Sequence, residues 1–148
     1  MTRNALHSYA QNGIEVGVES STPQQLISML YEGALLAITT AKINLKQGNI
    51  AARGKAISHA ISIISSGLKA SINLKEGGVI AQDLKGLYEY MVFRLLDANL
   101  KADLAPLDEV ESLLLDLKGA WDSIGKLPVV KAPVADMTPR PAVRYGSA

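Results

Sequence analysis

The chain has 148 residues, 48% of them hydrophobic but only 5% aromatic, with no cysteine and a net charge of +1. That length predicts one domain with its own core, and a ring-poor core is built from Leu, Ile, Val and Ala, the palette of packed helices. Without cysteine there are no disulfides, thiolate nucleophiles or cysteine metal sites, and the charge balance lacks the clustered basic face of a nucleic-acid binder.

The opening residues, Met1 to His7, have no apolar run of the signal-peptide kind. The longest uncharged apolar stretch, Ala34 to Ala41, is about half of the roughly 18 residues that a membrane span needs. The expectation is a soluble, cytoplasmic protein without membrane insertion. The first 22 residues, punctuated by Gly13 and Gly17, show no helical period and form an N-terminal extension.

Helical signals then follow in order. Ser20-Ser21-Thr22-Pro23 reads as a helix start, because a Thr oxygen can cap orphan amides and proline at the first helical position loses nothing. The first helix is predicted over 23–47, ending at Gly48-Asn49. A second runs from Ile50 to about Leu74 and stops at Gly77-Gly78, and a third runs from Val79 to Lys101. Asp103 caps a fourth, which tolerates Pro106 in its first turn and ends at Gly125. The short connections make consecutive helices antiparallel neighbours.

Apolar spacing agrees. Ile50, Gly54, Ile57, Ile61, Ile64, Leu68 and Ser71 alternate steps of four and three. So do Ile80, Leu84, Leu87, Met91, Leu95 and Ala98 in the third helix, and Leu107, Val110, Leu114, Leu117, Trp121 and Ile124 in the fourth. Such spacing is the seam of an antiparallel bundle. The predicted fold is an all-α antiparallel four-helix bundle over 23–125, with an N-terminal cap segment over 1–22. Residues 126–148, which hold four prolines, are expected to be a flexible, disordered C-terminal tail.

Charge is uneven along the chain. Residues 49–75 carry Arg53, Lys55, Lys69 and Lys75 and no acid, whereas residues 103–125 carry Asp103, Asp108, Glu109, Glu111, Asp116 and Asp122 against Lys118. These read as solvated helix faces of opposite sign that attract if adjacent.

The residue inventory supplies no catalytic, cofactor or metal site. His7 and His59 are the only histidines. The Glu-x-x-His pairs of a carboxylate di-metal bundle are missing, and Gly77-Gly78 lacks the Gly-Lys-Ser/Thr of a phosphate loop. His59 lies mid-helix, which leaves a histidine phosphotransfer bundle as one alternative and a structural homodimer as another. The turn after it, however, carries Ile63 and Ile64 rather than lysine and glycine. The helices are also more apolar than one core-facing stripe requires. The first has Leu26, Leu30, Gly33, Ala37, Ala41 and Asn44 on one stripe, with Ile27, Met29, Leu35, Leu36, Ile38 and Ile43 around it. The second adds Ala56, Ala60, Ile63, Gly67, Ala70 and Leu74, and the third places Val92 and Phe93 outside its seam. Surplus apolar surface marks an interaction site.

Several segments resemble the flagellin-specific export chaperones, the FliS family. The run from Ser21 to Ala34, STPQQLISMLYEGA, resembles that family's opening helix. Leu45 to Ile50, Ala56-Ile57-Ser58 and Ile63 to Leu68 resemble its second-helix region; Gly77-Gly78, Ile80-Ala81, Leu87 to Met91 and Arg94 to Asn99 its third; Glu109 to Leu114 with Ala120-Trp121 its fourth. The likeness runs in one register over residues 5–124. Phe93 stands where relatives carry a basic residue, and the tail beyond Gly125 matches nothing in the family core.

The resemblance implies a four-helix bundle that binds the carboxy-terminal segment of flagellin one to one. Such a chaperone prevents cytoplasmic polymerisation and presents the client to the flagellar type III export gate; some members also bind the flagellar anti-sigma factor. Disordered segments that fold on a partner suit apolar grooves. The residues expected to form the flagellin groove are Leu26, Ile27, Leu30, Ile57, Ile61, Ile64 and Leu68 with neighbours on the third helix. The segment from Leu6 to Val18 cannot form a core of its own and is expected to occlude the empty groove, limiting self-association. Leu6 and Tyr9 match positions that the family's N-terminal motif offers to the export gate.

Overall fold

The computed structural model describes residues 21–125, which fold into four helical segments: α1 (Pro23–Gln47), α2 (Ile50–Ser62), α3 (Leu74–Lys101) and α4 (Leu104–Gly125). Helix α2 continues as a π-helical turn, Ile63–Leu68, and a 3₁₀ turn, Lys69–Ser71. α1 packs on α2 and α4, and α3 packs on α4 and on the end of α2, so the helices form an antiparallel four-helix bundle with no strand among the described residues. The N-terminal cap and C-terminal tail expected from sequence lie outside the described residues.

Local signals set most boundaries. The Thr22 hydroxyl accepts from Gln25 N–H at 3.1 Å while the Gln25 side chain accepts from Thr22 N–H at 2.9 Å, a complete capping box ahead of Pro23. α1 ends at Gly48 with φ +76°, the left-handed cap that glycine adopts without strain. The carboxylate of Asp103 accepts from Ala105 N–H at 3.1 Å where α4 starts, as its sequence position predicted.

The connection between the second and third helices differs from expectation. The break falls at Ile72-Asn73, not at Gly77-Gly78, and α3 begins one turn before the glycines. The Asn73 side chain accepts from Glu76 N–H at 3.1 Å and starts that turn, after which Gly78, at φ +58° and ψ −136°, kinks the helix. The Asn73 cap outcompetes the glycine pair as the helix boundary.

The core contains Leu30, Tyr31, Ala34, Ile38, Ile57, Ile64, Leu68, Tyr88, Met91, Leu95, Leu107, Val110 and Leu114 among its buried residues. In α3 the seam runs through Ala81, Leu84, Tyr88, Met91, Leu95 and Ala98, one residue out of the expected register in its first half, where Ile80 is exposed instead. In α2 both apolar stripes turn inward, because Ala56, Ala60, Ile63 and Gly67 are buried as well as Ile57, Ile64 and Leu68. A Cβ added to Gly33 of α1 would meet Ile63 Cδ1 at 3.3 Å, so small residues admit a close α1–α2 approach. α1 is long and apolar enough to cross a membrane by length and composition alone; here its apolar side is part of the bundle core.

The oppositely charged segments do not pair. α2 and α4 share no principal packing contact, and the acids of α4 find partners elsewhere: Asp108 and Glu111 both at 2.8 Å from Lys42, and Glu109 at 2.7 Å from Arg94.

Candidate functional site

Because the helices alternate in direction, the start of α1, the end of the α2 segment, the start of α3 and the end of α4 meet at one end of the bundle. Two interactions tie α1 to α4 there. Trp121 Nε1–H donates to the Gln24 carbonyl and Gln24 Nε2–H donates to the Trp121 carbonyl, each at 2.9 Å. Ser28 Oγ–H donates to Asp122 at 2.8 Å. On the α2–α3 side Lys69 pairs with Glu89 at 3.3 Å, and the chain breaks at Ile72-Asn73 and kinks at Gly78.

The result is an open cleft of about 590 Å³, within the range typical of ligand sites. Its walls are Ile27 and Tyr31 from α1, Leu68 and Ile72 from the α2 segment, Ile80, Ala81, Leu84 and Tyr88 from α3, and Trp121 from α4. Ser71, Asn73, Glu76 and Gly77 complete the lining. The π-helical turn ends at the cleft: Lys69 N–H reaches back five residues to the Ile64 carbonyl, and Ser71 Oγ–H donates to the Gly67 carbonyl at 2.6 Å. π-helical turns occur frequently at functional sites.

Tyr31 and Tyr88 bring their hydroxyls within 2.6 Å of each other, and both residues are almost fully buried, at 3% and 2% exposure. Burial raises both phenols above the usual tyrosine range; for Tyr88 the contact with Tyr31 raises it further, whereas for Tyr31 the hydrogen bond to Tyr88 opposes the rise. Both therefore keep their protons at any physiological pH. Elsewhere, Glu89 on α3 is held below the usual carboxylate range by hydrogen bonds from Lys85 and then Lys69, and Glu109 on α4 by the Tyr90 hydroxyl and then Arg94.

The seven residues expected to form a groove separate into two groups. Leu30, Ile57, Ile64 and Leu68 are buried in the core, where they hold the bundle together rather than form exposed stripes; of these Leu68 also backs the cleft. Leu26, Ile27 and Ile61 are half-buried, and of these only Ile27 lines the cleft. The reason is packing: α2 meets neighbours on two sides, so both of its stripes are covered. Leu6 and Tyr9 lie outside the described residues. His59 is exposed on α2. No cluster of His, Cys, Asp or Glu among the described residues has the arrangement of a metal site. Sequence reasoning missed Tyr31, Ile72, Leu84 and Tyr88 as lining residues, although Asn73-x-x-Glu76 was a readable cap signal for the break that opens the cleft. Exposed apolar side chains remain outside it, notably Leu36 and Ile43 on α1 and Phe93, Leu96 and Leu100 on α3.

An open apolar cleft and surplus apolar surface on a helical bundle mark an interaction surface. The family model described as "Flagellar protein FliS" matches residues 5–128, and the chain belongs to that family. Among its relatives, the flagellar secretion chaperone FliS of Salmonella typhimurium (strain LT2) is 46% identical over 123 residues, 83% of this chain and 91% of that protein. The flagellar secretion chaperone FliS of Escherichia coli (strain K12) is 40% identical over 77% of this chain and 84% of its own length. The flagellar secretion chaperone FliSB of Pseudomonas aeruginosa (strain PAO1) is 39% identical over 81% and 94%.

Proposed function

We propose that this protein acts in the cytoplasm as the export chaperone of flagellin. It binds the client's carboxy-terminal segment one to one, keeps it from polymerising early and delivers it to the flagellar export gate. The observation that carries this reading is the open apolar cleft at the end of the bundle, bounded by residues of all four helices, in a chain of the flagellar secretion chaperone family. A segment released from its own fold can place apolar side chains against Ile27, Ile72, Ile80 and Leu84, and the exposed faces of α1 and α3 offer further apolar contact. The chemistry required is binding, without catalysis.

Two finer steps rest on the resemblance. Residues 6–18, tethered next to the cleft, occlude it when the client is absent, at the millimolar effective concentration typical of a short tether. Leu6 and Tyr9, released by the client, then contact the export gate; binding of the flagellar anti-sigma factor is a further activity that the resemblance implies. No observation favours the phosphotransfer reading of His59 or the purely structural homodimer.

Calorimetric titration with the carboxy-terminal segment of the cognate flagellin tests the central claim. The expected result is a 1:1 complex with a strongly negative heat-capacity change, as apolar burial demands. Ile80→Lys alters a cleft residue that is 73% exposed in the free protein, so melting stays unchanged. Binding should weaken about tenfold or more, the value of one buried aliphatic side chain. Wild-type affinity in that variant refutes the cleft as the client site.

A further inference from the structure

Two hydroxyls that bond to each other carry two hydrogens, and their mutual bond uses one. At 2.6 Å one of Tyr31 and Tyr88 donates and the other accepts, leaving the acceptor's own hydrogen unused. Among the described residues neither hydroxyl has another partner. Both residues line the cleft, and a buried donor without an acceptor is unfavourable. The cleft is thus apolar over most of its wall, with one hydrogen-bond donor in surplus where its two tyrosines meet.

We propose that the Tyr31–Tyr88 pair is the polar anchor of the client site, and that its spare O–H is received by an uncharged carbonyl oxygen of the bound polypeptide. This rests on the reading of the cleft as the flagellin-binding site. The acceptor must be one that brings no donor needing a partner of its own, which a carbonyl satisfies and a cation or a main-chain N–H does not. A carboxylate is disfavoured, because the apolar wall offers it no compensating cation and Glu76 stands on the lining. The occupant is a client segment with apolar side chains around one main-chain carbonyl left free by its own secondary structure. Such a contact fixes register: sliding the client by one residue moves the carbonyl away and strands the donor, whereas apolar contacts alone tolerate the slip.

Three variants separate this role from a structural one. In Tyr31→Phe or Tyr88→Phe one hydroxyl remains; it loses its partner inside the free protein, yet its hydrogen is available to the client. In the double variant both hydroxyls are replaced by rings of the same shape, which leaves no orphan group. Melting temperature should therefore fall in each single variant and recover in the double. Affinity for the carboxy-terminal flagellin segment should run the other way: within about twofold of wild type in at least one single variant, and weaker by about threefold to tenfold in the double.

Wild-type affinity in the double variant, or affinity that follows stability through all three, overturns the inference. If Ile80→Lys weakens binding while the double variant does not, the client site stands and the anchor falls. If neither weakens it, the client does not use the cleft and both readings fail. Should the double variant not fold, the single variants decide: losses of affinity in both, in proportion to their losses of stability, make the pair a core contact only.

Discussion

Replacing Gly78 by alanine isolates the backbone device that opens the end of the bundle. Gly78 sits at φ +58° and ψ −136°, a region that only glycine occupies at low cost. A Cβ built there meets nothing within 4 Å, so the penalty is conformational and owes nothing to crowding. Forcing an L side chain into such a region costs about 1–3 kcal/mol. Against this, the loss of glycine's freedom in the unfolded chain returns about 0.4–1 kcal/mol. The net destabilisation, about 1–2 kcal/mol, lowers the melting temperature by roughly 5–10 °C in a domain of this size, read by far-ultraviolet circular dichroism. Gly48 is the control. Its φ of +76° and ψ of +17° lie in the left-handed region that asparagine tolerates, so Gly48→Asn should be nearly neutral while Gly78→Asn is not. Since Glu76 and Gly77 precede the kink and Ile80 and Ala81 follow it in the cleft lining, Gly78→Ala should also weaken client binding at temperatures where the bundle is fully folded. If Gly78→Ala melts with the wild type, the kink is not held in this conformation and the argument fails.

Other consequences are simpler to read. Trp121→Phe removes the indole donor to the Gln24 carbonyl and should destabilise the bundle by about 1–2 kcal/mol, one net hydrogen bond plus some lost ring area, measured by urea denaturation. Acid should erode stability with a definite sign. Glu89 and Glu109 are held below the usual carboxylate range, so their stabilising effect is complete above the unfolded value of about 4.3 and is lost as pH falls through the lower folded values. Melting temperature should be flat from neutral pH to about 5 and decline below about 4.3. Glu89→Gln and Glu109→Gln should each make that decline shallower, and an undiminished decline in both shows that other groups dominate.

What sequence reading captured and what it missed divide along physical lines. Helix ends set by local chemistry were legible: the Thr22-Pro23 start, the Gly48 end and the Asp103 start each depend on groups within a few residues. The second boundary failed because two local signals competed within one turn, and a glycine pair looks stronger than an Asn73-x-x-Glu76 cap. The register of α3 slipped because a stripe of aliphatic residues, through Ile80 and Leu87, passed over Tyr88. Tyr88 enters the core only because Tyr31, 57 residues earlier, supplies its hydroxyl partner. The burial of four of the expected groove residues was hidden from sequence for a related reason. Periodicity shows that Ile57, Ile64 and Leu68 lie on an apolar stripe of α2, but not how many neighbours α2 has, and with two neighbours both stripes are covered.

The two ends of the bundle differ in which residues fill them. Toward the end where α1 stops and α2 begins, the buried residues include Ala37 and Ala41 on α1, Ala56 and Ala60 on α2 and Ala98 on α3, together with Ile38, Ile57, Leu95, Leu107 and Val110. Toward the opposite end the core residues become Tyr31, Leu68 and Tyr88, with Trp121 at the edge. Large rings hold the helices apart. A fifth element filling the space between them would give a closed bundle, but the α2–α3 connection turns away through Ile72, Asn73 and the Gly78 kink instead of crossing it. The bundle core runs through both ends, and one end is left open by the cleft. Its open end stays wide because the rings occupy the corners, and the Trp121–Gln24 clasp keeps α1 from drifting off α4 when nothing is bound. If the client occupies the cleft as proposed, exposed lining residues such as Ile80 stand apart from the buried core, so Ile80→Lys should change binding without changing stability.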